Sequence, residues 1–262
     1  MKPKILLPTL FVLFISCKKN EVVQTEVESS DQLLTKIVKH AKGNVYTEVV
    51  NYGYNDAKKI IAEGDKQYVR DNFQRIIKIL DPTTHTNRKE ISVYYQDAST
   101  GIVDHTICNF QTSDPGISYR FRDSVSYIHD DNNRLIRMLS YISQNESAFF
   151  LSHYDIFTYN EKGNLTQFSK FNVNNGIPVN CGTFAFSDYD DKKNPLYSED
   201  EVRLIEMTWD IVNISFNNFS AINNYSRNFL YRSDGRPRSC QVAGPGDAFE
   251  ITFYYKNNRT YC

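Results

Sequence analysis

The side chains best suited to proton transfer or metal ligation near neutral pH are five histidines, His40, His85, His105, His129 and His153. They stand roughly 20 to 45 residues apart. No two share the i, i+2 or i, i+4 spacing that brings two imidazoles to one zinc ion, and the pattern reads as solvated or strand-face histidine. A second group, Asp188, Asp190 and Asp191, falls within one turn and offers oxygens of the kind that hold calcium. The run lacks the central glycine and the distal glutamate of a helix–loop–helix calcium site, so an ordinary polar turn accounts for it. Asp130-Asp131-Asn132-Asn133 reads the same way. There is no Gly-x-Ser-x-Gly nucleophile elbow and no glycine-rich phosphate loop. These residues imply no cofactor and no catalytic centre, and the three aspartates are the only metal candidates. Paired carboxylates would have to be brought together by the fold.

The elements that would carry such residues are strands. The chain has 262 residues and a net charge of −1, with 18 Tyr and 17 Phe against 1 Trp. The near-zero charge gives no reason to expect nucleic acid. Aromatic side chains suit a pleated, half-buried surface, and 11 glycines are enough for about one per hairpin. The same phrase recurs along the chain: YGYNDAKKI at 52–60, YVRDNFQRI at 68–76, VYYQDASTGIV at 93–103, VSYIHDDNNRLI at 125–136, FTYNEKGNL at 157–165 and FLYRSDGRP at 229–237. In each, an aromatic or β-branched run meets Asn, Asp or Gly, then resumes with a polar and an aliphatic residue. That is a hairpin written repeatedly, with Asn72, Gly101, Asn133, Gly163 and Gly235 as the expected left-handed turn residues. An all-β fold follows, an antiparallel meander of a dozen or more strands that curls into a strongly twisted sheet or barrel. Charges on both alternating sets, as in Arg134 and Arg137 around Leu135 and Ile136, leave no clean lipid-facing band. One segment reads differently: Ser198 and Glu201 make a capping box, and Val202, Ile205, Trp209 and Val212 one apolar stripe. A short helical insertion is expected over 198–212.

The N-terminus stands apart. Lys2 and Lys4 precede an apolar stretch, Ile5 to Ile15, that is too short to remain as a membrane span. It ends in Phe14-Ile15-Ser16-Cys17, which resembles the lipobox of bacterial lipoproteins, where cleavage precedes a cysteine that is then acylated. The resemblance implies a signal peptide over 1–16, lipidation of Cys17, a polar tether over 17–30 and a domain over 31–262. Phe14 departs from the usual leucine of that motif.

The hairpins themselves resemble the YD repeat of RHS-type proteins. More closely, the chain is similar to outer-membrane lipoproteins of unknown function from Bacteroidetes that have a porin-like β fold. The matching residues are Leu34-Thr35-Lys36-Ile37, the Tyr159-to-Leu165 hairpin, Tyr189-Asp190-Asp191-Lys192-Lys193-Asn194-Pro195-Leu196 and Tyr231-Arg232-Ser233-Asp234-Gly235-Arg236-Pro237. Leu196 departs from the family's phenylalanine. The second and third hairpins lack a clean Gly-Arg-Leu, which points to irregular turns there. Residues 29–43 also fit a helix by apolar spacing; the Leu-x-Lys-Ile match favours a strand with a turn at Ala41–Asn44. Asp123-Ser124-Val125 resembles an O-glycosylation acceptor of such bacteria, although a strand entry accounts for it as well.

The resemblance implies a fold and a cell-envelope address, with either face of the outer membrane open, and no reaction. Expected partners are the lipid bilayer, through acyl chains, and a glycan or envelope protein bound by exposed tyrosines. The alternative is a polysaccharide hydrolase with carboxylates in long loops such as 104–123 or 171–195. Beyond Cys17, four cysteines remain in a chain expected to meet an oxidising compartment. The pairing expected is Cys240 with Cys262 and Cys108 with Cys181. Two strand spacings, about 9.6 Å, exceed disulfide reach, so Cys262 would have to cross over the sheet to meet Cys240.

Overall fold

The computed structural model describes residues 33–41, 46–82, 87–112, 120–144, 148–195, 197, 215, 217–245 and 248–256. They form sixteen strands: β1 (Leu34–Ala41), β2 (Thr47–Tyr54), β3 (Ile60–Glu63), β4 (Lys66–Arg70), β5 (Ile76–Asp81), β6 (Asn87–Tyr95), β7 (Val103–Thr112), β8 (Arg120–His129), β9 (Leu135–Gln144), β10 (Phe150–Tyr159), β11 (Leu165–Asn174), β12 (Ile177–Lys193), β13 (Asn217–Ile222), β14 (Tyr225–Tyr231), β15 (Pro237–Ala243) and β16 (Ala248–Tyr255). Each pairs antiparallel with the next, and β16 returns to β1, with Ile37 opposite Phe253, so the meander closes into a barrel.

The repeated phrase builds one end of that barrel. At 71–75, Asp71 Oδ1 accepts from the Phe73 and Arg75 amides at 2.9 Å, and Arg75 Nε donates to Asp71 Oδ2 at 2.8 Å. The turn at 130–134 repeats this with Asp130, Asn132 and Arg134. At 160–164 Asn160 plays the aspartate's part. The left-handed residue falls three positions after the leading residue each time: Lys58, Gln74, Asn133, Gly163 and Gly235. Asn133, Gly163 and Gly235 are as expected. Asn72 is not, because the Asp71 cap fixes the first half of the turn and passes the positive φ to Gln74. Gly101 does not adopt it either; Asp97 Oδ1 holds that loop instead, through the Ser99 and Thr100 amides. The second hairpin is thus as regular as the fourth.

Tyrosines at the strand ends tie five of the strands to a neighbouring turn. The Tyr54 hydroxyl donates to the Leu34 carbonyl, Tyr95 to Ile76 and Tyr159 to Leu135, each at 2.8 Å. Tyr189 reaches Leu165, and Tyr255 donates to Pro237 at 3.0 Å. The Arg75 and Arg134 guanidinium groups lie 4.6 and 5.3 Å from the ring centres of Tyr95 and Tyr159. Replacing Tyr159 by Phe removes one such donor and is expected to cost about 1 kcal/mol, measured as a lowered urea midpoint at unchanged m-value.

Inside, the barrel wall carries a packed lining. Ile76, Leu135 and Leu165, each placed just after a tight turn, are 0 to 2 % exposed. Above them Ile79, Ile91, Cys108, Tyr127, Met138, Phe157 and Phe168 are all buried. A second cluster of Leu34, Ile37, Cys240, Val242, Ile251 and Phe253 lines the seam where β1 meets β16. Side chains alternate across a strand, so the opposite set faces outward. At mid-strand that set is mixed: it carries the Lys78–Glu90 ion pair (2.7 Å), exposed Arg122 and Arg137, Gln167 and hydroxyls such as Ser92, Ser126 and Thr183, alongside Tyr94, Ile107, Ile128 and Leu139.

Residues 34–41 form a strand, as the Leu-x-Lys-Ile match implies. The expected bridge between Cys108 and Cys181 is absent: Cys108 is buried in the lining of β7, Cys181 is exposed at a bulge of β12, and four strands separate them. Cys240 is a buried thiol of β15, held well above its usual titration range by burial, at about 11. Cys17, His85, Cys262 and the helix expected over 198–212 lie outside the described residues.

Candidate functional site

Four of the histidines are described, and they fall on four different strands. His40 Nδ1 meets Thr47 Oγ1 at 3.0 Å, and His105 stacks on Tyr94 with centroids 4.5 Å apart while touching Asp104 at 2.7 Å. His129 ends β8, and His153 lies on β10. No three His, Cys, Asp or Glu side chains gather in metal-holding geometry among the described residues.

The three aspartates of 188–191 diverge. Asp188 takes a left-handed φ of 56°, and Asp191 pairs at the surface with Lys192 at 3.0 Å. Asp190 is drawn into a structural network: its Oδ1 accepts from the Lys192 amide at 3.0 Å and the Asn218 amide at 3.2 Å, and its Oδ2 takes the Tyr231 hydroxyl. Burial, then Asp190 itself, raises the Tyr231 hydroxyl well above the usual phenol range. Asn194 continues the network by donating to the Ser215 carbonyl at 3.2 Å, and Ser215 Oγ accepts from the Leu165 amide at 3.1 Å. These residues fasten β12 to β13 and to the turn before β11. The segments expected as carboxylate-bearing loops, 104–123 and 171–195, are largely the strands β7, β8, β11 and β12. Asp114 lies outside the described residues; the other carboxylates of the two segments stand in the sheet, so the described residues give no support to a loop-built hydrolase cleft.

Polar side chains do converge inside the barrel, at the end opposite the tyrosine-bracketed turns. On β10 the inward set runs His153, Asp155, Phe157. Cross-strand pairing puts Lys170 of β11 opposite Asp155, and Asn172 of β11 and Ser140 of β9 on either side of His153. Asp155 is only 5 % exposed, and its Oδ1 has no hydrogen-bond partner among the described residues. Burial pushes its carboxyl up to about 6, with the Lys170 charge acting the other way. Burial also lowers His153, and Lys170 adds to that shift. Further round the wall Asp123, inward on β8, is raised by burial against the opposing pull of Lys89. His153 and Lys170 are half-buried and Asn172 is exposed, so polar groups line the way in from the rim. Directly beneath, Phe157 and Phe168 pack with centroids 5.3 Å apart.

This barrel has known structural counterparts. A porin-like protein from Bacteroides vulgatus ATCC 8482 matches with a TM-score of 0.56 and 11% sequence identity, over 86% of this chain and 99% of that one. A porin-like protein from Bacteroides uniformis ATCC 8492 matches with a TM-score of 0.49 and 9% identity, over 85% and 98%. At this identity the first likeness is one of fold. No family model and no curated protein matches the sequence.

Histidine spacing along the chain does not mark the interior site. His153 was read alone, as one of five scattered histidines. The available signal was its spacing: with Asp155 it sits in phase with Phe157, so one strand face carries imidazole, carboxylate and core phenyl in succession. A charged residue in phase with core aromatics is the pattern that marks an inward polar group.

A separate cleft of about 210 Å³ lies at the tight-turn end, between Tyr54, Lys193, Pro195, Tyr197, Arg236 and Tyr255. The Tyr54 and Tyr255 hydroxyls there are already committed to backbone carbonyls.

Proposed function

We propose that the protein is a lipid-anchored, water-surrounded barrel of the bacterial cell envelope that binds a ligand at its polar interior end and conducts no ions. The observation that carries this reading is the orientation of the two faces. Barrels of this strand number that act as pores keep a polar, water-filled lumen and an apolar outer band. Here the inward set is aliphatic and aromatic and shielded from water from the tight turns to mid-barrel, Ile91 at 0 % and Met138 at 8 % exposure, and turns polar only toward the opposite end, while the outward set carries Lys78, Glu90, Arg122 and Arg137 among apolar residues such as Ile107, Ile128 and Leu139. A charge at the bilayer midplane of such a strand costs about 2–4 kcal/mol, and several would have to be accommodated. The fold likeness to porin-like proteins supports an envelope setting. The lipobox-like Cys17 supplies the means of attachment, since each buried CH₂ of an acyl chain contributes about 0.8 kcal/mol.

Two measurements test this. Cys17→Ala is expected to abolish labelling by a radioactive fatty acid and to move the protein from the membrane pellet to the soluble or precursor fraction. Added to planar bilayers, the full chain is expected to give no stepwise conductance above that of bare lipid. Stable single-channel steps would reject the non-conducting reading, and an unlabelled wild type that still pellets in detergent-sensitive fashion would reject anchoring through Cys17.

A further inference from the structure

We infer that the inward face formed by Ser140, His153, Asp155, Lys170 and Asn172 is a binding site for a neutral, polyhydroxylated ligand, a saccharide by chemical class. The inference rests on the proposed binding role and adds to it the place and the kind of ligand.

A carboxylate taken out of water and left with an oxygen unsatisfied costs free energy, and Asp155 is in that position, 5 % exposed with Oδ1 unpartnered among the described residues. Asp155 therefore presents an acceptor that an incoming hydroxyl can satisfy. The groups around it complete a set in which donors and acceptors alternate. Lys170, directly opposite on β11, offers only donors; His153, whose Nδ1 is taken by Ser152 Oγ at 3.0 Å while that hydroxyl donates to the Ser140 carbonyl, keeps Nε2 as an acceptor; the Ser140 hydroxyl and Asn172 at the rim offer both. A hydroxyl both donates and accepts, so a molecule carrying several of them fits a mixed set better than an anion or an amine does.

Charge points the same way. Asp155 and Lys170 face one another with opposite signs, and the remaining groups of the face are neutral at pH 7, His153 because burial and Lys170 hold its imidazole below the usual range. The face carries no net charge to select a phosphate or an ammonium. Barrel mouths with an apolar floor and a few convergent polar groups are a common setting for small ligands. The floor here is Phe157 and Phe168 with Met138 beside them.

The test is calorimetric titration of the full chain, held in lauryldimethylamine oxide so that the detergent itself carries no sugar. The neutral probes are galactose, N-acetylglucosamine and maltotriose; the charged probes are glucosamine, glucuronate and inorganic phosphate. At least one neutral probe is expected to bind. Asp155→Asn and Lys170→Met are each expected to weaken it roughly tenfold or more, while outward-facing Gln167→Ala leaves it unchanged. Circular dichroism of each variant confirms that the barrel is intact. The groups facing Asp155 are His153 on its own strand, Lys170 from β11, and Met138 and Ser140 from β9. Acidification through its titration is therefore expected to weaken binding by the wild type and leave that by Asp155→Asn flat. Binding of charged probes alone, or of none, overturns the inference. A neutral probe that binds both variants as tightly as wild type also overturns it, while leaving a binding barrel in place with its site elsewhere.

Discussion

Phe219→Ala is expected to lower the unfolding free energy by about 3–5 kcal/mol. Phe219 is 1 % exposed on β13. Its ring meets Phe186 edge-on at 5.1 Å and Tyr189 at 6.1 Å, and the Arg227 guanidinium lies 4.4 Å from its centre. Truncation removes the buried area, the two edge contacts and the cation–π contact together. The location amplifies the loss. The pairing of β13 with β14 runs only through Ala221–Ser226 and Ile222–Tyr225, and that of β12 with β13 shifts register between Tyr189 and Lys193. With fewer ladder contacts, this seam depends more on side-chain packing than its neighbours do. A domain stability of about 5–15 kcal/mol leaves little after such a loss. Urea denaturation measures it, and amide exchange is expected to accelerate first in β13 and β14. Tyr94→Ala, at an outward position 44 % exposed, is the comparison and is expected to change stability by no more than about 0.5 kcal/mol. A Phe219→Ala loss equally small would mean that the seam is held by its backbone ladder alone.

The contrast between these two aromatic residues also marks what the sequence conveys. Hairpins were legible because each is local: an Asx or related residue, a left-handed residue three positions on, an aliphatic residue two after that, all within one stretch. Closure was less so. Pairing Ile37 with Phe253 joins strands more than two hundred residues apart, and periodicity alone allowed an open sheet. Gln74 was missed because its left-handed φ follows from hydrogen bonds made by Asp71, not from its own residue type. The expected Cys108–Cys181 bridge failed for a related reason. An even cysteine count says nothing about which face of which strand each occupies, and one of these two lies within the lining while the other lies at an exposed bulge.

Asp155 was the least legible feature and gives the second large effect, a pH dependence of stability. Its folded titration point is raised from 3.8 to about 6 by burial, with Lys170 opposing. The sign follows from which state holds the proton. Between about pH 4 and 6 the folded protein keeps a proton on Asp155 that the unfolded chain has released, so folding is favoured at the acid end of that window and loses that support as pH rises through 6. Above it, the ionised carboxylate is carried in the interior at a cost on the order of 3 kcal/mol, the two-unit shift multiplied by 1.36 kcal/mol per unit. Asp155→Asn removes the ionisation and keeps the shape. The variant is expected to unfold at higher urea concentration than wild type at about pH 8, with the difference shrinking toward zero as pH falls to about 4. Asp71 and Asp130, whose carboxyls are lowered by their arginine partners, lose stabilising contacts on acidification in both proteins, so they cancel in the difference. A flat difference would show that Asp155 is satisfied when ionised, and with it the reason to expect a ligand hydroxyl at Oδ1 would go. A difference of the expected sign identifies a carboxylate retained against stability, which is the condition under which an interior charge is best explained by what it binds.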